Sequence, residues 1–112
     1  MSHRESQSCV EACVRCAQEC EQCATACLAE PDVQGMAACI RLDHDCAAIC
    51  WTAAAFMSRR SEFDTALCQL CASVCDACAS ECATHAHDHC RRCAEACRTC
   101  AEACRRMAGV AA

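Results

Sequence analysis

Tyrosine is absent, proline occurs once and glycine twice in the 112 residues, and aromatic side chains make up only 3%. Sheets favour aromatic and β-branched residues, and tight turns favour Gly and Pro. These shortages speak against a β-rich or loop-rich fold, and with abundant alanine they point to long helices. No apolar run approaches the roughly 20 residues needed to cross a bilayer, which excludes a membrane partner. The opening Met1 to Ser6 carries no apolar h-region behind it, so the chain is expected to stay in the cytosol, where thiols are kept reduced. Clustered cations are also lacking. The formal net charge is −5 with mixed signs, which excludes nucleic acid as a partner and fits a solvated surface.

What the chain does have is cysteine, 19 residues of it. They fall at Cys9, Cys13, Cys16, Cys20, Cys23 and Cys27; at Cys39, Cys46 and Cys50; at Cys68, Cys71, Cys75, Cys78 and Cys82; and at Cys90, Cys93, Cys97, Cys100 and Cys104. In the first, third and fourth clusters the steps alternate between three and four, a heptad seam with Cys at both a and d. Each cluster therefore sets its sulfurs along one stripe of one helix.

Helix signals agree with the clusters. Ser2 with Glu5 resembles a capping box, Pro31-Asp32 ends the first helix and caps the second, and Ser61 with Asp64 opens the third. The segment from His85 to His89 is the last connection, with Asp88 a candidate cap for the fourth helix. Arg105-Arg106 and Gly109 close the chain. The expectation is a single all-α domain over residues 1–112, an antiparallel up-down four-helix bundle with helices near 3–29, 33–58, 62–85 and 89–108. The second seam reads Met36, Cys39, Asp43, Cys46, Cys50, Ala53, Met57. On its outer face Ile40, Ala47, Ala48, Trp51 and Ala55 are expected to point away from the seam. An apolar outer face suggests burial against another copy, a homo-oligomer; the alternative is a slightly rotated helix with Trp51 covering a neighbour.

Buried Cys as a small hydrophobe explains one or two residues, not 19 in seams where Leu or Ile would pack better. Disulfides within a helix are disfavoured: Cβ atoms at i and i+4 lie about 5–6 Å apart, whereas a disulfide wants roughly 3.5–4.5 Å. The spacing lacks the C-x2-C-x2-C and C-x4-C-x2-C runs of iron–sulfur proteins. Structural zinc favours separated sets of four ligands, which a continuous seam does not supply. Soft thiolates select Cu(I), and the C-x3-C pairs 9/13, 16/20, 23/27, 46/50, 71/75, 78/82, 93/97 and 100/104 leave room for an ion between sulfurs. One Cu⁺ replacing one proton per thiol keeps the core neutral, so many Cu(I) ions per chain are expected, up to about one per Cys. A copper chaperone or detoxification protein, a zinc protein and a redox-active thiol protein are the alternatives. No cysteine stands apart beside a base as a thiol enzyme requires, so no catalytic residue is assigned.

The repeated C-x3-C pairs in four clusters, with the His-rich third connection, resemble the bacterial copper storage proteins over essentially the whole chain. The resemblance implies a Cys-lined four-helix bundle of the cytosolic class, tetrameric, with Cu(I) entering at one end. Asp43 departs from a pure Cys array: it is an oxygen ligand, a hydrogen-bonded neighbour of thiols, or a residue rotated outward. An antiparallel bundle gathers Cys27, Met36, Cys39, Cys82, His85, His87, His89 and Cys90 at one end, where imidazole and thioether are competent Cu(I) ligands. His85, three residues after Cys82, is expected to face the tube, with His87 and His89 in the turn; the alternative is three solvated histidines. Met36, Met57 and Met107 are otherwise core filler. The opposite end, near Met57, Met107, Phe63 and Leu67, is expected to be the more closed.

Overall fold

The computed structural model describes residues 3–109. Four α-helices follow in order: α1 (His3–Leu28), α2 (Ala37–Ser58), α3 (Asp64–Cys82) and α4 (Asp88–Met107), with a 3₁₀ turn over Val33–Met36 leading into α2. Each helix packs on its chain neighbours and α4 returns to α1, whereas the diagonal pairs make no close backbone approach among the described residues. This is the expected antiparallel up-down bundle, 45 Å along its long axis and 24 by 18 Å across.

The cysteine seams build it. All 19 thiols are buried and free, and on α2 the full run Met36, Cys39, Asp43, Cys46, Cys50, Ala53, Met57 is likewise buried. Cysteine is short, so four seams meet on the axis only if the backbones come close. Alanine permits this: Ala17 and Ala24 on α1, Ala47 and Ala54 on α2, Ala72 and Ala79 on α3, and Ala94 and Ala101 on α4 are all buried. Each pair is spaced seven residues apart beside its seam, so small side chains line the contacts between helices.

Several local expectations are corrected. The proposed cap at Ser2 lies outside the described residues. Asp32 precedes the 3₁₀ turn and makes no side-chain cap bond there; α2 proper begins after Met36. Ser61 Oγ accepts from Phe63 N at 3.0 Å, forming a turn ahead of a helix that starts at Asp64. Asp88 is the first residue of α4 rather than its cap, a position held by His87 in extended conformation. The third helix stops at Cys82, so His85 lies beyond it. Arg105 and Arg106 do occupy the last turn of α4, and Gly109 takes φ +73°, the left-handed conformation that ends a helix most easily at glycine. On α2, Ala47 is buried rather than outward, while Ile40 is half-buried against the core; the outer face is thus narrower than expected. It retains Ala48, Trp51 and Ala55 in solvent, with Trp51 Nε1 donating to Glu21 Oε2 at 3.4 Å.

Candidate metal centre

The four seams converge into one continuous column of sulfur. Across helices, Cys13 lies 3.5 Å from Cys100 and 3.7 Å from Cys104. Cys16 lies 3.7 Å from Cys46 and 3.6 Å from Cys97, Cys46 lies 3.6 Å from Cys75, and Cys39 lies 3.4 Å from Cys82. Along helices, the pairs 23/27, 46/50 and 71/75 close to 3.9 Å. Those 78/82, 93/97 and 100/104 close to 4.0 Å. Every one of these distances is far beyond a disulfide bond of about 2.05 Å.

Sets of four sulfurs lie within 4.8 Å of one another, and these sets share members. Cys16 and Cys46 belong both to the set with Cys50 and Cys75 and to the set with Cys20 and Cys97. Cys20 and Cys97 recur with Cys78 and Cys93. Sets that share ligands cannot all be filled as separate mononuclear sites of the structural zinc type. Overlapping sets suit ions held between bridging thiolates. The geometry therefore favours a polynuclear array over a string of separate sites, and the all-thiolate donor set suits a soft ion.

Asp43 projects into this column, fully buried, so the outward-rotated alternative is excluded. Oδ1 accepts from the thiols of Cys78 and Cys93 at 3.2 Å and of Cys82 at 3.5 Å. Oδ2 accepts from Cys39 at 3.8 Å. Burial, reinforced by the neighbouring Cys93 and Cys78, pushes its carboxyl up to about 10. The carboxyl of Asp43 is thus protonated and neutral in the metal-free core. Burial likewise raises the thiol of Cys90 to about 11 and that of Cys27 further. A proton must leave each such thiol before a metal binds it as thiolate.

The histidines gather at one end of the bundle, but in unequal settings. His89 Nδ1 lies 3.5 Å from Cys23 Sγ, 3.6 Å from Cys90 Sγ and 3.9 Å from Cys27 Sγ. His85 does not face the tube: its Nε2 lies 2.8 Å from Glu81 Oε2, since the helix ends before it and the chain turns away. His87 stacks on His89 with ring centroids 5.2 Å apart and meets Glu30 and Asp32 rather than sulfur. Met36 is fully buried. Glu30, in the turn after α1, joins this group although sequence reasoning passed over it. No periodic signal marks a turn residue, and only its approach to two imidazoles reveals it. At the opposite end Cys9, Met57 and Met107 are buried, beneath a surface cleft of about 230 Å³ lined by Arg4, Ser8, Cys9, Arg106 and Met107.

Fold and site together define a thiol-lined helical bundle built to hold many soft metal ions. The comparisons agree. Residues 2–109 match the copper storage protein family, and the chain belongs to that family. It is 49% identical to the Cu(I)-bound copper storage protein BsCsp3, over 93% of this chain and 98% of that one, with a TM-score of 0.89. A cytosolic copper storage protein from Streptomyces lividans, solved with five coppers, is 47% identical over 97% of this chain and 96% of that one, with a TM-score of 0.92. A Streptomyces lividans copper storage protein, Ccsp, has also been solved loaded with 10 copper equivalents. Among curated proteins, the uncharacterized cysteine-rich protein YhjQ of Bacillus subtilis is 50% identical over 67 residues, 60% of this chain and 62% of that relative's length.

Proposed function

We propose that this protein stores Cu(I) as a thiolate array inside the bundle, with all 19 cysteines as ligands. The observation that carries the reading is the overlap of the four-sulfur sets, which favours bridging thiolates. If each sulfur bridges two ions and each ion takes two sulfurs, capacity approaches about one copper per Cys. Cu⁺ replaces the thiol proton, so the core stays neutral and desolvation is not penalised at each step. Because the empty core is already neutral, the bundle forms before metal arrives.

Cu(I) enters at the histidine end. His89 Nδ1 sits against three sulfurs and is the imidazole placed to ligate there. His87, stacked on it, and His85 and Met36 at the same end are secondary ligands that become available if their side chains turn. Asp43 serves as a hydrogen-bonded neighbour of thiols, since a hard carboxylate oxygen suits Cu(I) poorly. The cytosol is the compartment, a reading supported by the similarity to the cytosolic copper storage protein of Streptomyces lividans. Among the described residues, no helix is long and apolar enough to cross a membrane. Self-assembly uses the outer face of α2, where Trp51 is 41% exposed; the tetramer implied by the family is the expected state.

Anaerobic titration of the reduced protein with Cu(I), with metal analysis, tests the reading. Binding should continue well past ten ions per chain, towards the cysteine count of 19 (about one per thiol). Saturation at one to three ions would replace storage with a chaperone-like role.

A further inference from the structure

Of the mouth histidines, His89 alone brings its ring to sulfur among the described residues. The three thiols it touches, Cys23, Cys27 and Cys90, form with Cys39 one of the four-sulfur sets. Its other nitrogen, Nε2, lies 3.0 Å from Glu30 Oε2. The same carboxylate oxygen lies 2.8 Å from His87 Nδ1. A carboxylate only accepts, so Nε2 of His89 carries the hydrogen. In the neutral ring the lone pair is then left on Nδ1, the atom that faces the sulfurs.

Glu30 is well held for this task. Its backbone N donates to Cys27 O at 3.2 Å, which fixes the turn directly after α1. Its side chain is 23% exposed, and that of His89 15%, so the contact is partly shielded from water. His87 lies almost parallel to His89, the rings inclined by 7°, and walls the imidazole on one side. Glu30 thus reaches two histidines at once, from a segment outside every seam.

We propose that Glu30 is the positioning residue of the copper mouth: by accepting from Nε2–H it sets the tautomer and orientation of His89, so that Nδ1 is presented to incoming Cu(I) above Cys23, Cys27 and Cys90. This rests on the reading that Cu(I) enters at this end. Capture by Nδ1 releases no proton, because that nitrogen carries none. Passage to a thiol then forms a copper–sulfur bond, frees Nδ1, and releases the thiol proton to water, with copper remaining Cu(I). Without Glu30, the ring hydrogen is free to sit on Nδ1 and must leave before metal binds. Groups that orient a ligating histidine in this way typically contribute about 10–100-fold in metal affinity.

The test uses the full-length reduced protein and one equivalent of Cu(I) supplied as a coloured chelate, followed by stopped flow. Glu30→Ala should slow uptake of this equivalent about 10-fold or more, as should His89→Ala. The double variant should be no slower than His89→Ala alone, because the two residues act as a unit. Glu30→Gln, whose amide oxygen still accepts from one ring, should recover most of the rate. Long-range ¹H–¹⁵N correlation should show His89 as the Nε2–H tautomer in the wild type and as a mixture in Glu30→Ala. Circular dichroism checks that each variant is folded. Wild-type rates in Glu30→Ala, additive slowing in the double variant, a Glu30→Gln as slow as Glu30→Ala, or an Nδ1–H ring in the wild type would each overturn the proposal. Total capacity separates this from the storage reading. A wild type that holds only a few ions defeats storage, whereas full capacity with wild-type uptake in Glu30→Ala defeats only the role of Glu30.

Discussion

Replacing Asp43 by asparagine isolates the most unusual group of the core. In the folded chain its carboxyl is pushed up to about 10, chiefly by burial, whereas an unfolded chain titrates it near 3.9. Between those limits the folded state holds a proton that the unfolded state lacks, so stability falls as pH rises. The contribution is fully present below about pH 4 and is lost on the way up to about 10. The ceiling is about 1.36 kcal/mol per pH unit, or about 2.7 kcal/mol between pH 5 and 7. Relaxation of the neighbouring thiols and water penetration screen part of this, and about 2 kcal/mol is the working expectation. Asn preserves the carbonyl that accepts from Cys78 and Cys93, each 3.2 Å away, and does not titrate. Urea unfolding of the reduced, metal-free protein, followed by circular dichroism from about pH 5 to 7, measures both proteins below the range where unfolded thiols ionise appreciably. The wild-type midpoint should fall with pH while that of Asp43→Asn stays level. Parallel curves would refute a protonated Asp43 in the folded core.

Other consequences follow from the sulfur geometry. Loading at neutral pH should release close to one proton per Cu(I), since burial keeps thiols such as Cys90 and Cys27 protonated; pH-stat titration giving less than about half a proton per ion would mean the tube is already ionised. Cys46 belongs to two of the four-sulfur sets, whereas Cys9 sits at the rim with Cys104 at 3.8 Å. Cys46→Ser should therefore lower capacity by about two ions and Cys9→Ser by about one at most, and equal losses by metal analysis would count against bridging. Trp51→Arg should shift the assembly towards monomer in analytical ultracentrifugation with capacity per chain retained; an unchanged mass would remove α2 from the interface.

The four cysteine clusters, stepped by three and four in the first, third and fourth, and the short connections between them determined, without any coordinates, the number of helices, their antiparallel order and the stripe of each that turns inward. A heptad pattern admits one buried face, and a short connection admits one direction. The same logic placed Cys27, Met36, Cys39, His89 and Cys90 at one end. Tertiary structure decided what a one-dimensional period cannot encode. Which sulfurs share a set depends on the stagger between helices, and that stagger follows from how closely Ala17, Ala47, Ala72 and Ala94 let the backbones approach. Asp43 stood with three alternatives open until thiols from α2, α3 and α4 were seen around it. The three histidines read alike in a turn, because periodicity fades once a helix ends. His85 is drawn off by Glu81, and His89 is turned inward with Glu30 at its back. Side chains in a turn take their direction from partners far away in sequence, and only the folded chain brings those partners together.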